Sequence, residues 1–127
     1  MADRARRKRR RLSRSGEFER VYREGRSHAN RYLVVYAFPR ADGDGEPRLG
    51  VSVGRKLGGA VERNRIKRLL REAFWAQADG LEGGHDFVIV ARPAAGDLAR
   101  QGGEPAIEQA LASVLVDGGL AEGSGSE

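Results

Sequence analysis

The sequence predicts an α+β fold, with helices packed on a small sheet. Three observations carry that prediction. Helical and strand periodicities alternate in the order α-β-β-α-β-α, Val61 to Ala76 is long and periodic enough for a full core helix, and Asp86 to Arg92 is apolar on both faces, as a central strand would be. At 127 residues and 39% hydrophobic content, the chain suits one domain with tails and is too short for two separate cores.

Residues 1–14 hold Arg4, Arg6, Arg7, Lys8, Arg9, Arg10, Arg11 and Arg14 against Asp3 alone, a charge density that repels itself and predicts a disordered arm. Ser15 then caps a short helix with Phe18, Val21 and Tyr22 at i, i+3 and i+4, and Gly25 is its stop signal. Tyr32 to Phe38 is β-branched and aromatic, Asp42 to Pro47 is a turn cluster, and Arg48 to Gly54 alternates with Leu49, Val51 and Val53 on one side. These two strands are expected to form a hairpin. Pro105 to Val116 is the last helix, with Ile107, Ala110, Leu111, Val114 and Leu115 in phase. The expected organisation is an arm over 1–14, a domain over 15–118 and an acidic disordered tail over 119–127.

Charge is divided unevenly. Residues 1–75 carry 21 basic and 9 acidic side chains (+12), and residues 76–127 carry 2 and 9 (−7). In the Val61–Ala76 helix, Ile66, Leu69, Leu70, Ala73 and Phe74 occupy one arc of about 140°, a core-facing stripe. The opposite arc holds Asn64, Arg65, Lys67, Arg68 and Arg71, with Glu72 and Trp75 among them. Lys67 and Arg71 stand at i, i+4 and repel, so helix stability does not account for this face. Arg55, Lys56 and Arg63 add to the same region, and a cation at a helix N-terminus is itself unfavourable. Phosphate oxygens are the partner these residues suit, because a guanidinium engages two at once and each neutralised phosphate releases counterions.

Regular alternation also places Tyr32, Val34, Tyr36 and Phe38 on one side of the first strand and Arg48, Gly50 and Ser52 on one side of the second. Small residues beside aromatic ones leave a shelf that Phe18 and Tyr22 wall, a composition suited to stacking unpaired bases. Other chemistries are disfavoured. Gly50-Val-Ser-Val-Gly54 has the letters of a nucleophile elbow, but Ser52 lies inside an alternating strand and only His28 and His85 could act as base; both are expected at the surface or in turns. There is no Walker loop, no metal-ligand spacing and no cysteine, and between Arg48 and Arg71 the only acid is Glu62. No apolar run approaches the roughly 20 residues of a membrane span. A cytoplasmic protein that binds nucleic acid, with no catalytic residue, metal site, membrane or small-molecule substrate of its own, is the expectation.

Gly50-VSVGRKLGGAVERNRIKRLLREAF-Phe74, centred on Arg63-Asn64-Arg65 with Lys67-Arg68 behind, closely resembles the signature of the bacterial ribonuclease P protein family. The resemblance extends through Arg11-Leu12, Ser15 to Gly25, Tyr32 to Tyr36 and Asp86 to Pro93, covering about residues 9 to 116. It implies a ribosomal-protein-S5-domain-2-like fold with a small mixed sheet and a left-handed βαβ crossover. It further implies a ribonucleoprotein in which Arg55, Lys56, Arg63, Asn64, Arg65, Lys67, Arg68 and Arg71 bind the catalytic RNA. Phe18, Tyr22, Val34, Tyr36 and Arg11 would receive the single-stranded 5′ leader of precursor tRNA. The implied reaction is Mg²⁺-dependent hydrolysis that frees the mature tRNA 5′ end, with the metal held mainly by RNA. Two residues depart from the family pattern: Gly59 stands where Asn is common, and Trp75 is bulky for an RNA-side position. A ribosomal or assembly protein of similar fold is the alternative reading, and a protein-only nuclease is disfavoured by the scarcity of carboxylates.

Overall fold

A computed structural model describes residues 10–12, 15–40, 47–81 and 84–120. Residues 1–9, 13–14, 41–46, 82–83 and 121–127, which hold most of the expected arm, turn cluster and tail, lie outside the described residues. The elements are β1 (Arg10–Arg11), α1 (Ser15–Glu24), β2 (Arg26–Ala29), β3 (Leu33–Pro39), β4 (Arg48–Val53), α2 (Ala60–Ala76), β5 (His85–Ala91) and α3 (Ala94–Asp117). A single 3-10 turn, Arg55–Leu57, joins β4 to α2.

The five strands form one mixed sheet in the order β1-β4-β5-β3-β2. The expected hairpin of β3 and β4 is therefore wrong: β5 lies between them, antiparallel to β3 and parallel to β4. Its composition explains the insertion. Phe87, Ile89 and Ala91 point into the main core while Val88 is fully enclosed on the other face, and a strand apolar on both sides is best satisfied at the centre.

Each sheet face has its own core. On one, Leu33, Val35, Leu49, Val53, Phe87 and Ile89 meet Ile66, Leu70 and Phe74 of α2 and Ile107, Leu111 and Leu115 of α3. On the other, Leu12, Val21 and Val88 form a small cluster, joined by Phe18, Tyr36, Phe38 and Val90. The helix α1 thus covers its face only in part. Gly25 ends α1 by closeness rather than by a left-handed backbone: a Cβ there would stand 2.6 Å from the Val21 carbonyl oxygen and 2.7 Å from that of Ala37.

Several boundaries differ from the sequence reading. Arg10–Arg11, assigned to the arm, pair in parallel with Arg48–Leu49, and the Leu12 amide donates to the Leu49 carbonyl (3.0 Å), which buries Leu12. The edge strand β2, of sequence Arg-Ser-His-Ala, has no apolar alternation to reveal it. Helical structure begins at Ala94 rather than Pro105, and Gly103 (φ 63°) breaks it, so that the Pro105 helix is the second of two segments. Leu120, assigned to the tail, is buried in the main core. His28 and His85 lie in β2 and β5 and are half-buried; His28 is backed by Gly118 and His85 stacks on Phe87.

Candidate nucleic-acid interface

The core-facing stripe of α2 holds as expected, and it turns the basic side chains outward. Asn64 and Arg68 are exposed, and Arg63, Arg65, Lys67 and Arg71 are half-exposed. Arg55 and Lys56, on the turn before α2, are exposed too. Among the described residues none of these cations forms an ion pair. Arg63 Nε is enclosed with no hydrogen-bond partner among them. Trp75 is no obstacle on this ridge: it packs partly into the main core, edge-on to Phe74 with ring centroids 4.9 Å apart.

Arg11 marks where the ridge meets the sheet edge. Its strand partner is Leu49, so it points to the α2 side of the sheet, whereas the next residue, Leu12, points to the α1 side. Arg71 has its pKa lowered, first by burial and then by the neighbouring charge of Arg11. A like charge nearby disfavours the charged form of each, and an anion would relieve that repulsion. The structure thus sets Arg11 beside Arg71 and on the opposite sheet face from the aromatic residues with which the sequence reading grouped it.

Those aromatic residues do converge. Tyr22 and Tyr36 meet edge-to-face at 4.9 Å, Phe18 and Tyr22 lie 6.4 Å apart, and Val34 and Ser52 share the same sheet face. Tyr22 is 39% exposed, and burial raises its pKa, opposed by a side-chain hydrogen bond with Ser52. The ring therefore stays neutral at physiological pH and adds no negative charge to the groove. Tyr32 does not belong here: it precedes β3 and packs against the main core.

Phe18 forms the floor because β4 has no side chain beneath it. A Cβ on Gly50 would stand 2.4 Å from Phe18 Cζ. Gly50→Ala is expected to cost about 1–2 kcal/mol by overpacking and to lift the Phe18 ring, seen as lost stability in urea and shifted aromatic resonances. Unchanged resonances would mean that the ring does not rest on this glycine.

An ion cluster absent from the sequence reading anchors α1. Asp86 is 4% exposed and accepts two parallel bonds from Arg48 (Nε to Oδ1 and Nη2 to Oδ2, both 2.8 Å) and one from Arg40 Nη1 (3.0 Å). Arg48 Nη1 also donates to Glu17 of α1 (3.1 Å), and its pKa is raised chiefly by the hydrogen bond to Asp86. Arg48 and Asp86 are direct strand partners, a proximity that only the β4–β5 pairing creates. At the ridge start, Gly58 needs its glycine, at φ 130° with Glu62 against the missing Cβ, whereas Gly59 is extended with open space around it. A side chain such as asparagine would fit at Gly59 without strain.

The described residues bring no group of three or more metal-ligating side chains together, and the Asp86 carboxylate is taken up by two arginines. No helix among the described residues is long and apolar enough to cross a membrane.

A family model described as Ribonuclease P matches residues 7–115. The ribonuclease P protein component of Halalkalibacterium halodurans is 47% identical over 88 residues, which cover 69% of this chain and 73% of that protein. That of Bacillus pumilus is 44% identical over 91 residues, 72% and 76% of the two chains. The solved RNase P protein of Staphylococcus aureus superposes with a TM-score of 0.77 at 35% identity, covering 91% of this chain and 100% of that one. The protein from Thermotoga maritima gives 0.75 at 30% identity, covering 84% and 96%. Sequence and fold agree over nearly all of the described residues, and the chain belongs to the ribonuclease P protein family.

Proposed function

We propose that this chain is the RNA-binding subunit of a ribonucleoprotein that removes the 5′ leader of precursor tRNA, and that the two surfaces divide the work. The ridge of Arg55, Lys56, Arg63, Asn64, Arg65, Lys67, Arg68 and Arg71 binds the catalytic RNA. The groove of Phe18, Tyr22, Val34 and Tyr36 takes the unpaired leader. The observation that carries this reading is a helix face of cations with no ion-pair partner among the described residues, with part-exposed aromatic rings gathered on the opposite face of the sheet. Arg11 sits on the edge strand β1 and its charge is felt by Arg71, so a strand passing from one face to the other would meet a cation there.

Phosphodiester hydrolysis at a protein site usually relies on carboxylates that hold metal ions. We therefore assign Mg²⁺ and the bond-breaking step to the RNA. The protein's share is to neutralise phosphates where two polyanions meet and to hold the leader, which lowers the divalent-ion requirement.

The test is reconstitution: the chain, a ribonuclease P RNA and precursor tRNA at low Mg²⁺, followed by release of the 5′ leader. Stimulation of cleavage supports the proposal. Binding without stimulation would favour a ribosomal or assembly role, and cleavage by the polypeptide alone would move the chemistry onto the protein. Within this assay, Tyr36→Ala is expected to reduce the preference for leader-bearing over leader-free substrate by ~1–3 kcal/mol, the contribution of one stacked base. A fall in folding stability with the preference intact would make Tyr36 a packing residue only.

A further inference from the structure

The end of the sheet where β4 and β5 finish and β3 begins gathers a second set of cations. Val53 pairs with Ala91, and Ala91 with Leu33, so the residues just beyond them meet at one sheet end. These include Arg55 and Lys56 after β4, Arg92 after β5 and Arg31 before β3, all exposed and none in an ion pair among the described residues. Arg92 Nη1 donates to the Asn30 carbonyl (3.0 Å), which holds that guanidinium beside the turn leading into β3.

A cleft of about 450 Å³ opens next to this row, between the turn and α3, lined by Arg31, Tyr32, Leu98, Gln109, Ala110 and Ser113. Hydrogen bonds from one side chain frame it. Asn30 Oδ1 accepts from the amides of Tyr32 and Leu33 (both 2.9 Å), and Asn30 Nδ2 donates to the Ala110 carbonyl (3.0 Å), strapping the turn to α3. The Arg31 guanidinium lies over the Tyr32 ring, 5.8 Å from its centroid.

The chemistry of the cleft is that of a flat, hydrogen-bonding ligand carrying negative charge at one side. Tyr32, Leu98 and Ala110 offer apolar walls, while Gln109 and Ser113, exposed on α3, offer donors and acceptors at the lip. A docked peptide helix would need an apolar stripe over several turns, and this cleft supplies one ring and one leucine. On the neighbouring smaller cleft Asp97 is paired with Arg100, so the cations left for phosphates are Arg31 and Arg92.

We infer that this cleft receives one unstacked nucleotide of a bound RNA, its base against Tyr32 and Leu98 and its flanking phosphates on Arg31 and Arg92. It extends the RNA-contact surface past Lys56 to a site that neither the α2 ridge nor the aromatic groove includes, and it rests on the RNA-binding reading above. The same chemistry could be presented by the RNA subunit or by precursor tRNA, and the experiment separates them.

Two variants of the full chain test it. Ser113→Trp fills the cleft from an exposed position, and Arg31→Ala removes a phosphate contact without touching a buried side chain. Binding to a ribonuclease P RNA and binding of the reconstituted holoenzyme to precursor tRNA are measured alongside Tm. Both variants are expected to keep the wild-type Tm and to lose about tenfold in one of the two affinities, within the range one stacked base contributes; the arm that weakens identifies the source. Wild-type affinity in both arms would overturn the inference while leaving the ridge and groove intact, and Arg31→Ala keeps this readable should Ser113→Trp unfold. If the unaltered chain binds neither RNA, the wider reading fails and the cleft assignment with it.

Discussion

Asp86→Ala is expected to lower folding stability by about 3 kcal/mol, the lower part of the range for removing one partner from a buried ion cluster. Its carboxylate answers two guanidiniums, and the Asp86 and Arg40 side chains are only 5% and 9% exposed. Alanine would remove the buried carboxylate that both cations share, leaving Arg48 only its more exposed pair with Glu17. The Arg48 side chain, 19% exposed, can recover some hydration, which is why the upper part of the range is not expected. The consequence reaches the groove, because Arg48 also holds Glu17 on α1. Urea denaturation measures the stability, and protease sensitivity of α1 measures the loosening. A loss below about 1 kcal/mol would put these contacts among exposed ion pairs of little weight. Glu17→Gln is the graded comparison, expected to cost about 1 kcal/mol or less because its pair with Arg48 is more exposed.

The double variant Arg65→Ala, Arg68→Ala should do the opposite: little to the fold and much to RNA binding. Neither side chain is buried or ion-paired among the described residues, and alanine is a strong helix former. Charge-assisted bonds to phosphate contribute about 1.5–3 kcal/mol each, so losing two predicts an affinity for the RNA subunit weaker by roughly 100-fold or more. The slope of log K against log salt should fall by roughly two, about one per lost phosphate contact. Titration at several salt concentrations reads both quantities. An unchanged slope would mean that Arg65 and Arg68 face solvent in the complex. Arg100→Ala is the matched control: its guanidinium already has Asp97, and it is expected to leave the slope unchanged.

These two variants also show where the sequence is readable. The ridge was legible because a helix places side chains at a fixed angular interval, so the Ile66 to Phe74 stripe settles which residues face outward without reference to any other element. The aromatic shelf was legible for the same reason in strand periodicity, except at Tyr32, which lies just before the strand where alternation no longer applies. Asp86 carried no such signal. Its partners are 38 and 46 residues away, and they meet it only through strand neighbours that local periodicity does not encode.

The hairpin error has the same root. Adjacent strands in sequence favour pairing, but the gain from burying both faces of His85–Ala91 at the sheet centre outweighs that preference. Arg11 moved faces for a related reason: once Leu12 takes the α1 side of the edge strand, the two-residue repeat of a strand obliges Arg11 to face α2. By itself the sequence determined the helix and strand segments with strong periodicity, the outward cations of α2 and the family, all of which depend on residues near one another in the chain. The tertiary structure alone decided strand order, the Asp86 cluster that seats α1, the sheet face that Arg11 takes and the cleft beside Tyr32. Each of those is a meeting of distant segments, chosen by which arrangement buries the most apolar surface while leaving the fewest charges unanswered.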